Sequence, residues 1–529
     1  MTSIENLTAL ATHGLAPTGV PTVRVRALNP APIRAEGSFV LYWMTAFRRL
    51  EWNYALDHSL AWARNLKLPL LIFEPLRAGA EWSSVRHHRF CLDGMLDHEA
   101  RLEGHRVGYF SYIERVPGDG KGLLAALGAK ASLIVTDDAP VFFLPRMKAK
   151  AAQTLDVRLE AVDSNGILPL AEAGRDFTTA FSFRRHLQKR LPTWLEDAPD
   201  PTPLAGVDLP SFGDPGQTMS RRLLETLGDS LMRQWPSGVP AESRHDMDLR
   251  WIPSLDQSVS RVSFSGGRPE GVRRLSRFLR GGLEGYAEAR NHPDRTHFTG
   301  LSPWFHWGHI SSHEVLSAVL DAEGWTARSL AGAAGTRKVD GRREGWWGLG
   351  ADSEAFLDQL LTWRELGFHT AWRSAATGDD PEAWDTLPSW ARVTLDEHRL
   401  DPRPMIYELE AFERAETHDP LWNAAQRELR SEGTIHNYLR MLWGKKILEW
   451  SESPEEALRT MIHLNHKWAL DGRDPNSTSG IMWVLGRYDR GWPERAIYGK
   501  IRSMSSDSTR RKVELKRYLA RFGSSSSRS

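Results

Sequence analysis

The sequence predicts an α/β unit followed by an all-α unit, and three observations carry that expectation. Short apolar runs alternate with amphipathic stretches of helical length between residues 38 and 170. A proline-rich stretch follows, and beyond about residue 256 the apolar periodicity is mostly helical. The alternation implies a doubly wound parallel sheet, because parallel strands need long crossovers that helices supply. The chain's 529 residues suit two or three domains at about 150 residues each. With 41% hydrophobic and 26% charged residues the composition is globular, and no apolar run approaches the roughly 20 residues of a membrane span, so no membrane partner is expected.

Residues 1–21 form a polar tail whose start, MTSIENLTALATHG, lacks the basic and apolar regions of a signal peptide. The single cysteine, Cys91, excludes an intramolecular disulfide framework and a Cys-rich metal site, so a reducing, cytoplasmic setting and no metal are expected. In the α/β unit, residues 22–180, the strands are SFVLYWM (38–44), LPLLIFEPL (68–76), RVGYFSYI (106–113), ASLIVTD (131–137) and VRLEAVD (157–163). Residues 50–66 and 84–104 have helical spacing. The first strand runs into TAFRRLEWN instead of a Gly-x-Gly-x-x-Gly turn, so the usual dinucleotide fingerprint is absent, although ligands still favour the carboxyl ends of such strands.

Residues 181–255 read as an interdomain linker, with prolines at 192, 199, 201, 203, 210 and 215 among Asp, Gly and Ser. Residues 256–520 form the helical domain, and 521–529 a flexible end. Inside the helical domain, 324–350 carries seven glycines and several arginines, which predicts a surface loop.

Lys+Arg 68 against Asp+Glu 67 leaves a charge of +1, so an anionic partner has to meet a local patch. Arg502, Arg510, Arg511, Lys512, Lys516 and Arg517 supply one, and cations beside aromatic rings suit a phosphate backbone with unstacked bases. Ser302 followed by Pro303 is the order of a helix start, where unpaired amides favour an anion. Ser311 and Glu314 have capping-box spacing. Trp443 and Trp450, seven apart, share one helical face, and Asp419-Pro420 opens a helix bearing Trp422. Asp471, Arg473, Asp474 and Asn476 form a polar run ending beside Met482 and Trp483, in which Arg440 and Asp471 are candidates for a pair. Residue chemistry alone therefore describes a two-domain protein suited to an anionic cofactor and nucleic acid.

Four ordered motifs, LSPWFHWGHIS, THDPLWNAAQREL, LRMLWGKKILEW and LDGRDPN, resemble the photolyase/cryptochrome family, the last three its class II cyclobutane pyrimidine dimer photolyases. FVLYWMTAFRRLEWNYAL resembles that class's antenna domain. The resemblance implies an α/β antenna domain, a helical domain holding folded FAD, and light-driven reversal of a flipped-out pyrimidine dimer in UV-damaged DNA by a monomer. By the same resemblance Tyr286, Thr299, Leu301 and Ser302 surround the FAD phosphates, and Arg440, Asp471 and Asn476 take the cofactor, the first two as an ion pair beside the isoalloxazine. Asn465 matches the asparagine facing flavin N5, and Trp422, Trp443 and Trp450 match the electron-transfer tryptophans. Trp363, Met441 and Trp483 match dimer-contacting positions, and Asn291, Arg502 and Arg511 are assigned to DNA.

Three departures from the family pattern stand out. Gln359 replaces a glutamate one turn before Trp363, and an amide bonds a thymine carbonyl without delivering a proton, which implies reduced repair efficiency. The 324–350 segment has no family counterpart. VDSNGILP (162–169) lacks the usual histidine of the loop, which bears on the deazaflavin (8-HDF) antenna expected of the class. The competing function is that of a cryptochrome-like blue-light photoreceptor with weak or no repair.

Overall fold

A computed structural model describes residues 18–242, 246–326 and 339–523. Most of the expected N-terminal tail, the last six residues and 327–338 of the Gly/Arg-rich segment lie outside the described residues. The chain divides into two compact units. One comprises Met1–Gly174, Thr193–Arg273 and Trp304–Ser317, the other Arg175–Pro192, Arg274–Pro303 and Ala318–Ser529.

The first unit is built on a six-stranded sheet ordered β1-β6-β5-β2-β3-β4. The strands are β1 (Val25–Ala27), β2 (Phe39–Trp43), β3 (Leu70–Leu76), β4 (Gly108–Ile113), β5 (Ala131–Asp137) and β6 (Leu159–Val162). Strands β2 to β6 pair in parallel, and all five were legible in the sequence. The sixth, β1, was not: it is three residues long, partly exposed, and lies antiparallel to β6, so neither alternation nor an apolar run marks it. Every residue of β2, β4, β5 and β6 is buried, as expected of a sheet covered on both faces. Helix α1 (Tyr54–Leu66) starts where Asn53 Oδ1 accepts the amides of Ala55 and Leu56, and stops at Lys67 in the left-handed region. Helix α2 (Val85–Leu102) buries Phe90, Leu92 and Met95, each contributing about 1.5–3 kcal/mol by burial.

Two expectations are corrected in this unit. The proline-rich stretch is not a free connection: Leu209 and Phe212 are buried in the sheet's core, joined by Leu223 and Leu227 of α3 (Met219–Leu227). The strand order reverses at the carboxyl end of β2. The amides of Thr45, Ala46 and Phe47 converge as an anion nest, but the Asp137 carboxylate already accepts them at 2.8, 2.6 and 3.0 Å, with the Tyr42 hydroxyl at 2.7 Å. Ser311 does cap the helix Ser312–Ala322, accepting from His313 N at 3.2 Å. Glu314 does not close the capping box; it pairs with Arg268 at 2.5 Å.

The named elements of the second unit are helices. Helix α4 (Ala351–Leu357) runs through a π turn (Asp358–Trp363) into α5 (Arg364–Thr377). Then come α6 (Pro420–Glu432), α7 (Asn437–Trp450), α8 (Pro454–Trp468), α9 (Pro475–Val484) and α10 (Lys516–Phe522). Close packing on α9 rests on two glycines. A Cβ on Gly367 would stand 2.7 Å from Ser479 Oγ and 2.8 Å from Pro475 O, and one on Gly444 2.6 Å from Val484.

The described part of the Gly/Arg-rich segment is more than a surface loop. Trp346 and Trp347 are buried, the Trp347 carbonyl accepts from Trp325 Nε1 at 3.0 Å, and Glu354 of α4 accepts the amides of Gly345 and Gly348. Glycines hid this docking, because the contacts are made by backbone amides that no apolar pattern reports. The basic tail also docks: the hydroxyl of Tyr518 on α10 donates to Glu428 of α6 at 2.8 Å.

Candidate functional site

Helices α7, α8 and α9 bring four polar side chains of the second unit together. Asp474 caps α9 by accepting from Asn476 N at 2.9 Å, Pro475 opens it, and Ser477 follows in the first turn. The α8–α9 connection turns at Gly472, where a Cβ would fall 2.2 Å from Asn465 O, so only glycine fits. Arg440 of α7 donates to Asp471 at 3.2 Å, to Ser477 Oγ at 2.9 Å and to Asn465 Oδ1 at 3.4 Å. Asn465 Nδ2 in turn donates to Gly472 O at 2.7 Å and Ser477 Oγ at 3.0 Å, which fixes the amide with its oxygen toward Arg440. The Arg440 and Asp471 side chains keep 13% and 9% exposure, so the pair is sheltered without being sealed. Neighbouring Arg473 is buried, and desolvation lowers its pKa to about 10. The expected Arg440–Asp471 pair is therefore formed. Ser477, which ties it to Asn465, was missed, since a serine in a helix's first turn carries no special signal.

The three tryptophans form one buried chain. Trp422 Nε1 donates to the Trp443 carbonyl at 3.0 Å, and its ring lies 6.0 Å from that of Trp450 at 66°. Trp443 Nε1 donates to Gln426 Oε1 at 2.9 Å. Trp450 meets His418 at 4.9 Å and half-exposed Tyr407 at 5.8 Å, and the Lys446 ammonium stands 5.2 Å from its ring. Heptad spacing puts Trp443 and Trp450 on one face of α7; only the α6–α7 packing shows that Trp422 bridges them.

Of the residues expected around the phosphates, Thr299, Leu301 and Ser302 are neighbours in sequence, and Tyr286 stands on a separate short helix before them. Tyr286 is buried against Phe278 and Phe356, with ring centroids 5.7 and 5.6 Å away. Burial raises its pKa above the ordinary phenol value. Thr299 Oγ1 accepts from Leu301 N at 3.3 Å, and Gly300 adopts φ 61° before the short helix Ser302–His306. Asn476 is exposed on the first turn of α9.

Gln359 and Trp363 are half-buried on the π turn, a distortion that local sequence does not announce and that recurs at functional sites. Asp358 beside them is clamped by Arg184 at 2.7 Å. Met441 Cε lies 3.8 Å from where a Gly480 Cβ would stand. Trp483, half-exposed, has Lys445 4.9 Å and Arg502 5.8 Å from its ring centre, and Arg502 also stands 4.9 Å from Trp492. Lys445 and Trp492 were not singled out in the sequence. Asn291 and Arg511 are exposed, on the segment after Tyr286–Ala289 and on the helix Ser506–Lys512.

In the first unit the 162–169 loop is internally bonded. Asp163 accepts Asn165 N at 2.9 Å and Leu170 N at 2.7 Å, and Asn165 Nδ2 donates to Asp138 O at 2.9 Å. No helix among the described residues is long and apolar enough to cross a membrane.

No family model matches the chain. It is 32% identical over 502 residues to the deoxyribodipyrimidine photo-lyase of Methanothermobacter thermautotrophicus, covering 94% of this chain and 98% of that protein. It is 30% identical to the deoxyribodipyrimidine photo-lyases of Oryza sativa subsp. japonica (94% and 90% covered) and Potorous tridactylus (93% and 83%). Its fold is similar to the crystal structure of a bacterial class III photolyase from Agrobacterium tumefaciens, with TM-score 0.60 and 16% identity over 92% of this chain and 86% of that one.

Proposed function

The chain belongs to the photolyase/cryptochrome family, and from that premise we propose that it is a class II-type enzyme that splits cyclobutane pyrimidine dimers in DNA with FAD and light. The family implies FAD and UV-damaged DNA; the class, the dimer type and the residue roles are the proposal. The observation that carries it is that one helix, α7, bears Arg440 of the polar group and Trp443 and Trp450 of the indole chain.

The donor set fits the cofactor. A cation–carboxylate pair suits a flavin's polar edge, and a neutral amide oxygen, contacted only at 3.4 Å by Arg440 and Ser477, keeps capacity to accept from an N–H. When bound, FAD supplies light-driven electron transfer to the dimer. Arg440 and Asp471 would orient the ring system, and the Asn465 amide oxygen would accept a hydrogen bond from the flavin, favouring its reduced form. Tyr286, Thr299, Leu301 and Ser302 hold the phosphates. Trp450, Trp422 and Trp443, in that order, pass electrons inward, because Trp450 abuts half-exposed Tyr407 and Trp443 shares its turn of α7 with Arg440. Trp363, Met441 and Trp483 pack against the extruded lesion, whose weak stacking lowers the cost of flipping.

The test is to photoreduce the purified protein, add a dimer-containing oligonucleotide and measure restored thymines under light and in darkness. Light-dependent recovery is expected, and its absence rejects the repair reading. A blue-light photoreceptor is the second reading, favoured by Gln359 on the π turn. Intact photoreduction without recovered thymines selects it. A deazaflavin (8-HDF) antenna in the first unit belongs to the repair reading and is checked by whether the protein absorbs beyond its flavin content.

A further inference from the structure

The turn Trp443-Gly444-Lys445-Lys446 of α7 ends in two lysines whose surroundings differ. Lys446 reaches Glu449 at 2.5 Å and stays partly exposed. Lys445 is wholly buried. Its Nζ donates to the Val484 carbonyl at the end of α9, 2.5 Å away, and stands 4.9 Å from the centre of the Trp483 ring. Burying an ammonium is unfavourable unless it is compensated, and one carbonyl with one π face is modest compensation. Methionine would fill the same tunnel without that penalty. A cation, unlike a thioether, is held to the face of the indole by charge, and Lys445 stands nearer the Trp483 ring centre than Arg502, which is 5.8 Å away.

We propose that Lys445 is a positioning residue whose ammonium, bridging the Val484 carbonyl and the face of Trp483, fixes that indole as the platform on which damaged bases are told from undamaged ones. The inference rests on the reading of Trp483 as a lesion contact. Burial pushes the Lys445 pKa down to about 7, with Arg502 lowering it further and Asp489 opposing. The other ionisable groups here are Tyr498, whose hydroxyl meets Lys445 O at 3.0 Å, and Glu449, 3.2 Å from that hydroxyl. Tyr498 keeps its proton, because burial raises its pKa well above the phenol range. The Lys445 charge beside Trp483 is therefore present below about pH 7 and lost as pH rises through it.

The experiment measures binding of the flavin-loaded protein, in darkness, to dimer-containing and undamaged oligonucleotides of one sequence between pH 6 and 8.5. In the unaltered protein the affinity ratio is expected to fall as pH rises through about 7. In Lys445→Met it should be flat and lower at pH 6 by about five- to tenfold. Lys445→Met with unaltered discrimination at pH 6, while Trp483→Phe has lost it, overturns the role of Lys445 alone. Trp483→Phe with unaltered discrimination overturns the lesion-contact reading and this inference with it. Should Lys445→Met fail to fold, the unaltered protein decides: an inflection that vanishes in Trp483→Phe supports the proposal, and a ratio independent of pH overturns it.

Discussion

Each unit holds an arginine–carboxylate network, and the two are built to opposite ends. In the first unit Glu74 of β3 is fully buried and takes Arg48 at 2.8 Å, His98 of α2 at 2.8 Å and the Tyr109 hydroxyl of β4 at 2.6 Å. Three segments converge on one carboxylate, and despite its burial these partners hold its pKa down at about 2. In the second unit Arg440, Asp471, Asn465 and Ser477 meet at 2.9–3.4 Å, Arg440 keeps some exposure, and the Asn465 amide oxygen is met by Arg440 and Ser477 only at 3.4 Å. A network closed by the protein's own groups locks a fold, whereas one with acceptor capacity to spare suits a ligand.

The largest effect that would break this contrast is expected at the closed network. Glu74→Gln leaves Arg48 buried against a neutral amide and should destabilise the first unit by about 3–5 kcal/mol, read by urea unfolding. The sign of the pH dependence follows from the lowered pKa. Stability from Glu74 is full above about pH 4.5 and is lost as pH falls toward 2, about 3 kcal/mol in all, and Glu74→Gln should flatten that limb. A wild-type acid limb in the variant would show that Glu74 does not carry it.

Trp443→Phe lies on the open side. It deprives buried Gln426 of its donor, at about 1–3 kcal/mol, and should slow photoreduction while chemically pre-reduced enzyme still repairs. Loss of flavin and of both activities would show that the ring serves packing instead. Asp471→Asn keeps a hydrogen bond and removes the charge. Flavin affinity should fall about tenfold with little change in apoprotein stability, because the pair is not sealed. A destabilisation as large as that of Glu74→Gln would erase the distinction between the networks. The smallest effect is Gln359→Glu, expected to raise repair yield per photon about two- to fivefold; an unchanged yield rejects the proton-donor account of this position.

Legibility followed the range of the interactions. The five parallel strands and the start of α6 were readable, because burial on both faces and an Asp-Pro cap act over a few residues. Motif resemblance placed Arg440, Asp471 and Asn465, and the structure brings those three together. It did not place Ser477, Lys445 or the π turn, and it left the order of the tryptophans open.

The sequence by itself determined the α/β-then-α order and the parallel sheet, because side-chain period and capping chemistry are written within one or two turns of chain. Tertiary structure alone decided that Asp137 fills the nest beside β2, that Trp422 bridges Trp443 and Trp450, and that Lys445 faces an indole instead of water. Those outcomes depend on which helix packs on which and how closely neighbouring helices approach, as at Gly367 and Gly444. No local pattern encodes such distances, because they are set by residues far apart in the chain.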